Sequence, residues 1–332
     1  MEISINNIFN IKTDLEFRRM ALDIFRYQAE NNIVYKQYLQ SLRISVESID
    51  QIEKIPFIPV EFFKSFEVIT GSILDEHLSK LFTSSGTTGQ ITSKHYVKDV
   101  SIYEKSFTRA FELFYGNIHE YCILALLPSY LEREGSSLVY MADDLIKKSK
   151  HHESGFYLHN YDELILTLQN LQDKKQKTLL LGVTYALLDV VEQFPLFRGG
   201  NNLIVMETGG MKGKRKEMIR EELHAVLCEG FGVNTIHSEY GMTELLSQAY
   251  SKGNGVFNCP PWMKILIRDT NDPFSYLPHG RTGGINVIDL ANIHSCSFIA
   301  TQDLGKTNPN TSFEVLGRFD NSDIRGCNLL VQ

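Results

Sequence analysis

Thr178-Leu179-Leu180-Leu181-Gly182-Val183 is an apolar run with no alternating polar positions. Strands of this kind are buried on both faces, as in a parallel sheet covered by helices. Two more runs share the texture, Tyr121-Cys122-Ile123-Leu124-Ala125-Leu126-Leu127 and Asn202-Leu203-Ile204-Val205-Met206. Helix-length segments at Tyr161 to Leu171 and Arg215 to Cys228 lie among them, and the alternation predicts an α/β core. Upstream, Thr13-Asp14-Leu15-Glu16 has the form of a capping box opening an amphipathic helix, with Phe17, Met20, Ala21, Ile24 and Phe25 on one side. Ile55-Pro56-Phe57-Ile58-Pro59 then forces an extended connector. After about Gly255 the helical segments give way to short strands at Lys264 to Ile267, Gly284 to Ile288, Ser297 to Ala300 and Phe313 to Leu316. The expected layout is a helical N-terminal segment and α/β nucleotide-binding core over 1–255, a β-rich subdomain over 256–316 and a short tail over 317–332.

Composition narrows the function classes. A chain of 332 residues, 43% hydrophobic and 22% charged, buries a core large enough for one large domain or for one large and one small. A net charge of -7 without a long basic run argues against nucleic acid, which needs a positive stripe to displace counterions. The first residues, Met1-Glu2-Ile3-Ser4-Ile5-Asn6-Asn7, lack the basic and apolar blocks of a secretory signal, and no apolar run reaches the length of a membrane span. A cytoplasmic protein is expected. The five cysteines are scattered without a Cys-x-x-Cys pair, which predicts reduced thiols. Cys259, His279, His294 and Cys296 are good zinc ligands by type, but their spacing matches no structural zinc pattern.

The chemistry lies in the connections. Phe82-Thr83-Ser84-Ser85-Gly86-Thr87-Thr88-Gly89 follows an apolar segment and combines glycines, which let backbone approach an anion, with hydroxyl and N–H donors suited to phosphate. It is not a Walker loop, since no Gly-Lys-Ser/Thr follows. Glu207-Thr208-Gly209-Gly210-Met211-Lys212-Gly213-Lys214 offers a tight turn and two cations. Ser238-Glu239-Tyr240-Gly241-Met242-Thr243-Glu244 offers an aromatic face, a hydroxyl and a carboxylate able to hold magnesium. Thr301-Gln302-Asp303-Leu304-Gly305 and Gly317-Arg318 offer a carboxylate and a guanidinium for paired hydroxyls. These elements are expected beyond the carboxyl ends of strands, where open α/β sheets place ligands.

The order of these motifs resembles the adenylate-forming superfamily of acyl-CoA synthetases, in its phenylacetate-CoA ligase-like branch. Pro128-Ser129-Tyr130-Leu131-Glu132-Arg133-Glu134-Gly135-Ser136-Ser137-Leu138, Gly209-Gly210-Met211-Lys212 and a cysteine near the C-terminus are most similar to the acyl-protein synthetase (LuxE) family, the fatty-acid-activating component of luminous bacteria's fatty acid reductase. The resemblance covers about Ile52 to the end. It implies the N-terminal domain fold of an adenylate-forming enzyme, layered α/β sheets with a small β subdomain, without the usual mobile C-terminal domain. It also implies ATP and magnesium as cofactors, a fatty or other hydrophobic carboxylic acid as substrate, and a reductase or carrier protein as acyl acceptor. By motif, Ser85, Gly86, Thr87, Thr88 and Gly89 bind the triphosphate, Gly209, Gly210, Tyr240 and Gly241 surround the nucleotide, and Asp303 and Arg318 hold the ribose. Thr243 and Glu244 serve phosphate and magnesium, and Cys327 receives the acyl group as a thioester. The superfamily's loop usually continues Gly-x-Pro-Lys; here Gln90-Ile91-Thr92-Ser93-Lys94 follows, which leaves the role of Lys94 open. A free-thiol ligase and a non-catalytic nucleotide- or acyl-binding subunit remain as alternatives.

Overall fold

The structure is a computed structural model that describes residues 3–71, 79–84, 91–128, 135–195, 197–209, 215 and 218–319. It divides into two compact units, one made of Met1–Ser72 and Pro261–Gln332 and the other of Ile73–Pro260. The first unit begins with helices Ile5–Phe9, Asp14–Asn31 and Ile33–Ser41 and a short strand β1 (Ile58–Pro59). The capping box forms: Thr13 accepts from Glu16 N, and the Glu16 side chain accepts from Thr13 N. The stripe on that helix buries Phe17, Ala21, Ile24 and Phe25, and also Gln28 and Ala29.

In the second unit, β2 (Lys80–Thr83) and β3 (Lys94–Val97) form an antiparallel hairpin. The main sheet contains β4 (Tyr121–Leu126), β5 (Gly155–Tyr157), β6 (Lys177–Val183), β7 (Leu203–Thr208) and β8 (Ile236–Tyr240). These pair in parallel in the order β5-β4-β6-β7-β8. Two antiparallel strands, β9 (Ala249–Ser251) and β10 (Val256–Asn258), continue from β8. Every residue of β4 is buried, as its unbroken apolar sequence requires. Helices Val100–Tyr115, Ser137–Ser149, Tyr161–Asp173, Thr184–Gln193 and Arg220–Phe231 are interleaved with the strands. Each buries one face; Ile102, Phe107, Ala110 and Phe111 on the first of them are at most 2% exposed. Burying side chains of this size contributes about 1.5–3 kcal/mol apiece before entropy is counted.

The first unit resumes with β11 (Met263–Arg268), β12 (Gly283–Asp289), β13 (Phe298–Thr307) and β14 (Phe313–Arg318), an antiparallel meander in which β1 pairs in parallel with β13. The N-terminal helices belong with these strands and not with the parallel sheet. Their connection is polar as well as apolar. The fully buried Gln28 donates from Nε2 to Asn292 O at 3.0 Å and Ile293 O at 3.1 Å, and its Oε1 accepts from Ser297 N at 3.0 Å. Asn32 Nδ2 donates to Ser295 O at 2.8 Å. Phe298 lies within 6.2 Å, centroid to centroid, of Phe25, Tyr35 and Phe57. The strand expected at Ser297 to Ala300 runs on to Thr307, so Asp303 sits inside a strand, and Arg318 is likewise the last residue of β14. Neither lies in a loop beyond a strand end. From Phe298 to Thr307 β13 comes to alternate buried and half-buried residues, a period-two pattern that the small residues and glycines of the sequence conceal. No helix among the described residues is long and apolar enough to cross a membrane.

Candidate active site

In the second unit the carboxyl ends of β7 and β8 lie side by side, with Thr208 opposite Glu239 and Glu207 opposite Ser238. Thr208 Oγ1 donates to Glu239 Oε2 at 2.5 Å. Burial pushes the Glu239 carboxyl up to about 7, opposed by the Thr208 hydrogen bond and reinforced by the nearby charge of Glu207. Thr184 Oγ1, at the start of its helix, lies 2.8 Å from Gly209 O and 3.3 Å from Glu207 Oε2. Gly209 itself has φ +71°, a conformation natural to glycine.

The Tyr240–Glu244 segment follows directly. A Cβ at Gly241 would sit 2.4 Å from Glu239 Oε1, so any side chain there would displace that carboxyl group. The turn closes through Leu245 N donating to Met242 O at 3.0 Å. His95 on β3 donates from Nδ1 to Thr243 O at 2.8 Å, and burial holds its imidazole down to about 4, so the ring is neutral. That bond ties the β2–β3 hairpin to the Thr243 turn. The neck of the hairpin's connecting loop is closed by Ser84 N donating to Ser93 O at 3.0 Å and Ser93 N donating to Ser84 Oγ at 2.8 Å. Lys94 is exposed beside this neck, on the face of β3 opposite to His95.

Among the sequence-predicted residues, Gly209, Tyr240, Gly241, Thr243 and Glu244 thus fall on consecutive elements at one end of one sheet. Glu244 is buried, whereas Gly241 and Thr243 are half-buried. Tyr240 is also buried, with its ring 6.0 Å from that of Phe257 at an interplanar angle of 65°. In the first unit Asp303 and Arg318 are directly opposite on β13 and β14, with Arg318 Nε 3.3 Å from Asp303 Oδ1. Arg318 is 73% exposed by side chain and Asp303 only 12%. Asp303 N donates to Thr301 Oγ1 at 3.1 Å, which fixes the backbone beside the carboxylate. Ser85, Gly86, Thr87, Thr88, Gly89, Gly210 and Cys327 lie outside the described residues.

Glu239, Thr208, Thr184 and His95 are the residues that sequence reasoning passed over. One signal was present, a carboxylate in a strand otherwise destined for burial, Ile236-His237-Ser238-Glu239-Tyr240. Three described cysteines behave differently from a reactive thiol: burial pushes Cys122 to about 11, Cys296 to about 12, and Cys228 upward. No three His, Cys, Asp or Glu side chains gather into a metal cluster among the described residues.

The fold is that of the adenylate-forming ligases. The chain matches a 2-hydroxyisobutyryl-CoA ligase solved with its acyl-AMP and CoA, at a TM-score of 0.67 and 12% identity, over 93% of this chain and 70% of that one. It also matches ATP-bound MatB from Rhodopseudomonas palustris, at a TM-score of 0.54 and 16% identity, over 75% of this chain and half of that one. The sequence profile of the acyl-protein synthetase LuxE family matches residues 9–332, and the chain belongs to that family. A long-chain-fatty-acid–luciferin-component ligase of Vibrio harveyi is 26% identical over 94% of this chain and 86% of its own length.

Proposed function

We propose that this chain is an AMP-forming ligase that activates a long-chain or other hydrophobic carboxylic acid and passes the acyl group to a protein thiol. The family match over residues 9–332 carries the reading. In the first step a substrate carboxylate oxygen bonds to the α-phosphorus of ATP and pyrophosphate leaves. In the second a thiolate sulfur bonds to the acyl carbonyl carbon and AMP leaves. Such chemistry at phosphorus relies mainly on positioning and on donors that match developing charge.

The residues present suit those tasks. Gly209 and Gly241 bring backbone to the strand ends without side chains in the way, and the His95–Thr243 bond fixes the turn that presents the Thr243 hydroxyl. Largely protonated below pH 7, Glu239 supports that turn while adding little negative charge beside an anionic substrate. The single carboxylate of Glu244 matches magnesium, which is held by one or two protein carboxylates plus phosphate oxygens and offsets their charge. Asp303, held by Thr301 and paired with Arg318, is suited to accept hydrogen bonds from a ribose diol. Cys327 is the thiol that the family resemblance assigns as acceptor, and the raised thiols of Cys122, Cys228 and Cys296 make them poor competitors. A reductase or carrier protein would then receive the acyl group, and a cytoplasmic location follows from the same reading.

The test is intact-protein mass spectrometry of wild type and Cys327→Ala after incubation with Mg-ATP and carboxylic acids of graded chain length. An acyl-sized, hydroxylamine-labile adduct on wild type alone is the expected result. AMP release with the same adduct on both proteins would move the acceptor elsewhere, and the absence of any AMP release would overturn the ligase assignment.

A further inference from the structure

A second site lies wholly within the first unit. A cavity of about 660 Å³ opens beside the meander, within the roughly 300–1,000 Å³ range typical of small-molecule pockets. It is lined by Arg268, Asn286 and Ala300, which project from one face of β11, β12 and β13. Neither Asp303 nor Arg318 is among the residues that line it, so the cavity is distinct from that pair. Tyr38, Phe57 and Tyr276 supply aromatic wall.

The charges in the lining are mostly committed. Arg18 Nη1 holds Glu53 through both carboxylate oxygens at 2.8 and 3.1 Å, and Asp50 holds Lys54 at 2.8 Å. The Arg268 guanidinium donates to Ile285 O, Asn286 Oδ1 and Thr301 O at 2.6–2.8 Å. Arg43 is exposed at the rim and has no ion pair or hydrogen bond from its side chain among the described residues.

The backbone of Arg43 adds a second observation. Helix Ile33–Ser41 ends in a Schellman motif: Ile44 N donates to Leu39 O at 3.1 Å and Arg43 N to Gln40 O at 3.0 Å. Arg43 occupies the left-handed position of that motif, with φ +56°. Glycine is the residue this position favours, and an arginine there carries a conformational cost that the helix end does not need.

We propose that this cavity binds an amphipathic monocarboxylate, its head group on Arg43 and its hydrocarbon body between Tyr38, Phe57 and Tyr276, as a site separate from the catalytic one. One uncommitted guanidinium matches one planar carboxylate in bidentate geometry, and the apolar wall has room for an extended chain. The site does not rest on the ligase reading, because none of these residues is assigned to catalysis.

The test is fluorine NMR of decanoate carrying a terminal trifluoromethyl group, titrated into the full chain without ATP. The variants are Arg43→Gly, Arg43→Lys and Ala300→Phe. A bound resonance that Ala300→Phe abolishes and Arg43→Gly weakens at least tenfold, with Arg43→Lys intermediate, is the expected result. Arg43→Gly should also leave the melting temperature unchanged or raise it, since glycine suits the helix end better; that readout separates a ligand-binding role from a structural one. Pyrophosphate exchange should be the same in wild type and Arg43→Gly; its absence in both would fail the ligase reading while leaving the cavity signal to be judged alone. No bound resonance in wild type, or one that persists unweakened in Arg43→Gly, overturns the proposal even if Ala300→Phe does not fold.

Discussion

Two buried polar clusters in this protein follow opposite rules. Around Gln28 in the first unit, an uncharged amide meets backbone carbonyls and an N–H in fixed geometry and stitches a helix to the β12–β13 connection, more than 260 residues away. Around Glu239 in the second unit, two carboxyl groups lie at the ends of adjacent strands, one pushed up to about 7 by burial. Near them Ser238 Oγ is buried without a hydrogen-bond partner among the described residues, and His224 Nε2 comes no closer than 3.7 Å to Glu207 Oε1. The first cluster spends its polar groups on holding the fold together. The second retains charge and unmet hydrogen-bonding capacity at a strand end, which is where perturbed groups tend to serve function.

The sharpest way to break this contrast is to crowd the second cluster. Gly241→Val places a branched side chain against the Glu239 carboxyl, and pyrophosphate exchange should fall by about a hundredfold, the scale expected of a misplacement near 1 Å. An unchanged rate would mean that the turn is not part of the site. The next effect is on pH. A carboxyl raised from 4.5 to about 7 binds its proton more tightly in the folded chain, so its stabilising contribution is complete below pH 4.5 and is lost as pH climbs toward 7. Over that window wild type should lose up to about 3 kcal/mol that Glu239→Gln does not, measured by urea denaturation at a series of pH values.

Gln28→Leu should cost about 2 kcal/mol by stranding Ser297 N and two carbonyls, with little change in catalytic rate at a temperature where the variant is folded. If the rate drops with the stability, the two clusters are coupled and the contrast fails. The smallest effect belongs to Arg318→Ala. Its ion pair with Asp303 is largely solvent-exposed on the arginine side, so stability should move by less than about 0.5 kcal/mol in thermal unfolding.

Much of the fold was legible because period and capping are local. The unbroken runs became β4, β6 and β7, and Thr13 with Glu16 formed the anticipated box. What was not legible is pairing at long range. A buried stripe on the helix Asp14–Asn31 states that something covers it, but only the folded chain shows that Gln28 meets Asn292, Ile293 and Ser297. The site divides in the same way. Residue types and order picked out Gly209, Tyr240, Gly241, Thr243 and Glu244 together, and they lie at the ends of β7 and β8, with Tyr240 as the buried last residue of β8 and not part of a loop. Glu239 was hidden in plain view within the same motif, because its burial and its bond to Thr208, 31 residues away in sequence, depend on the register between two strands. Asp303 and Arg318 were found as a pair, while the strand carrying Asp303 proved longer than its apolar stretch suggested.

The 2.4 Å between the Glu239 carboxyl and the place where a side chain at position 241 would begin also constrains how this region can change by mutation. A library that randomises position 241 alone should be enriched in glycine and alanine, because any larger residue must first displace the acid. Randomising 239 and 241 together should return matched pairs, small acid-free residues at the first allowing bulk at the second. The two positions are coupled, and bulk at 241 should be tolerated more readily once the acid at 239 has been replaced.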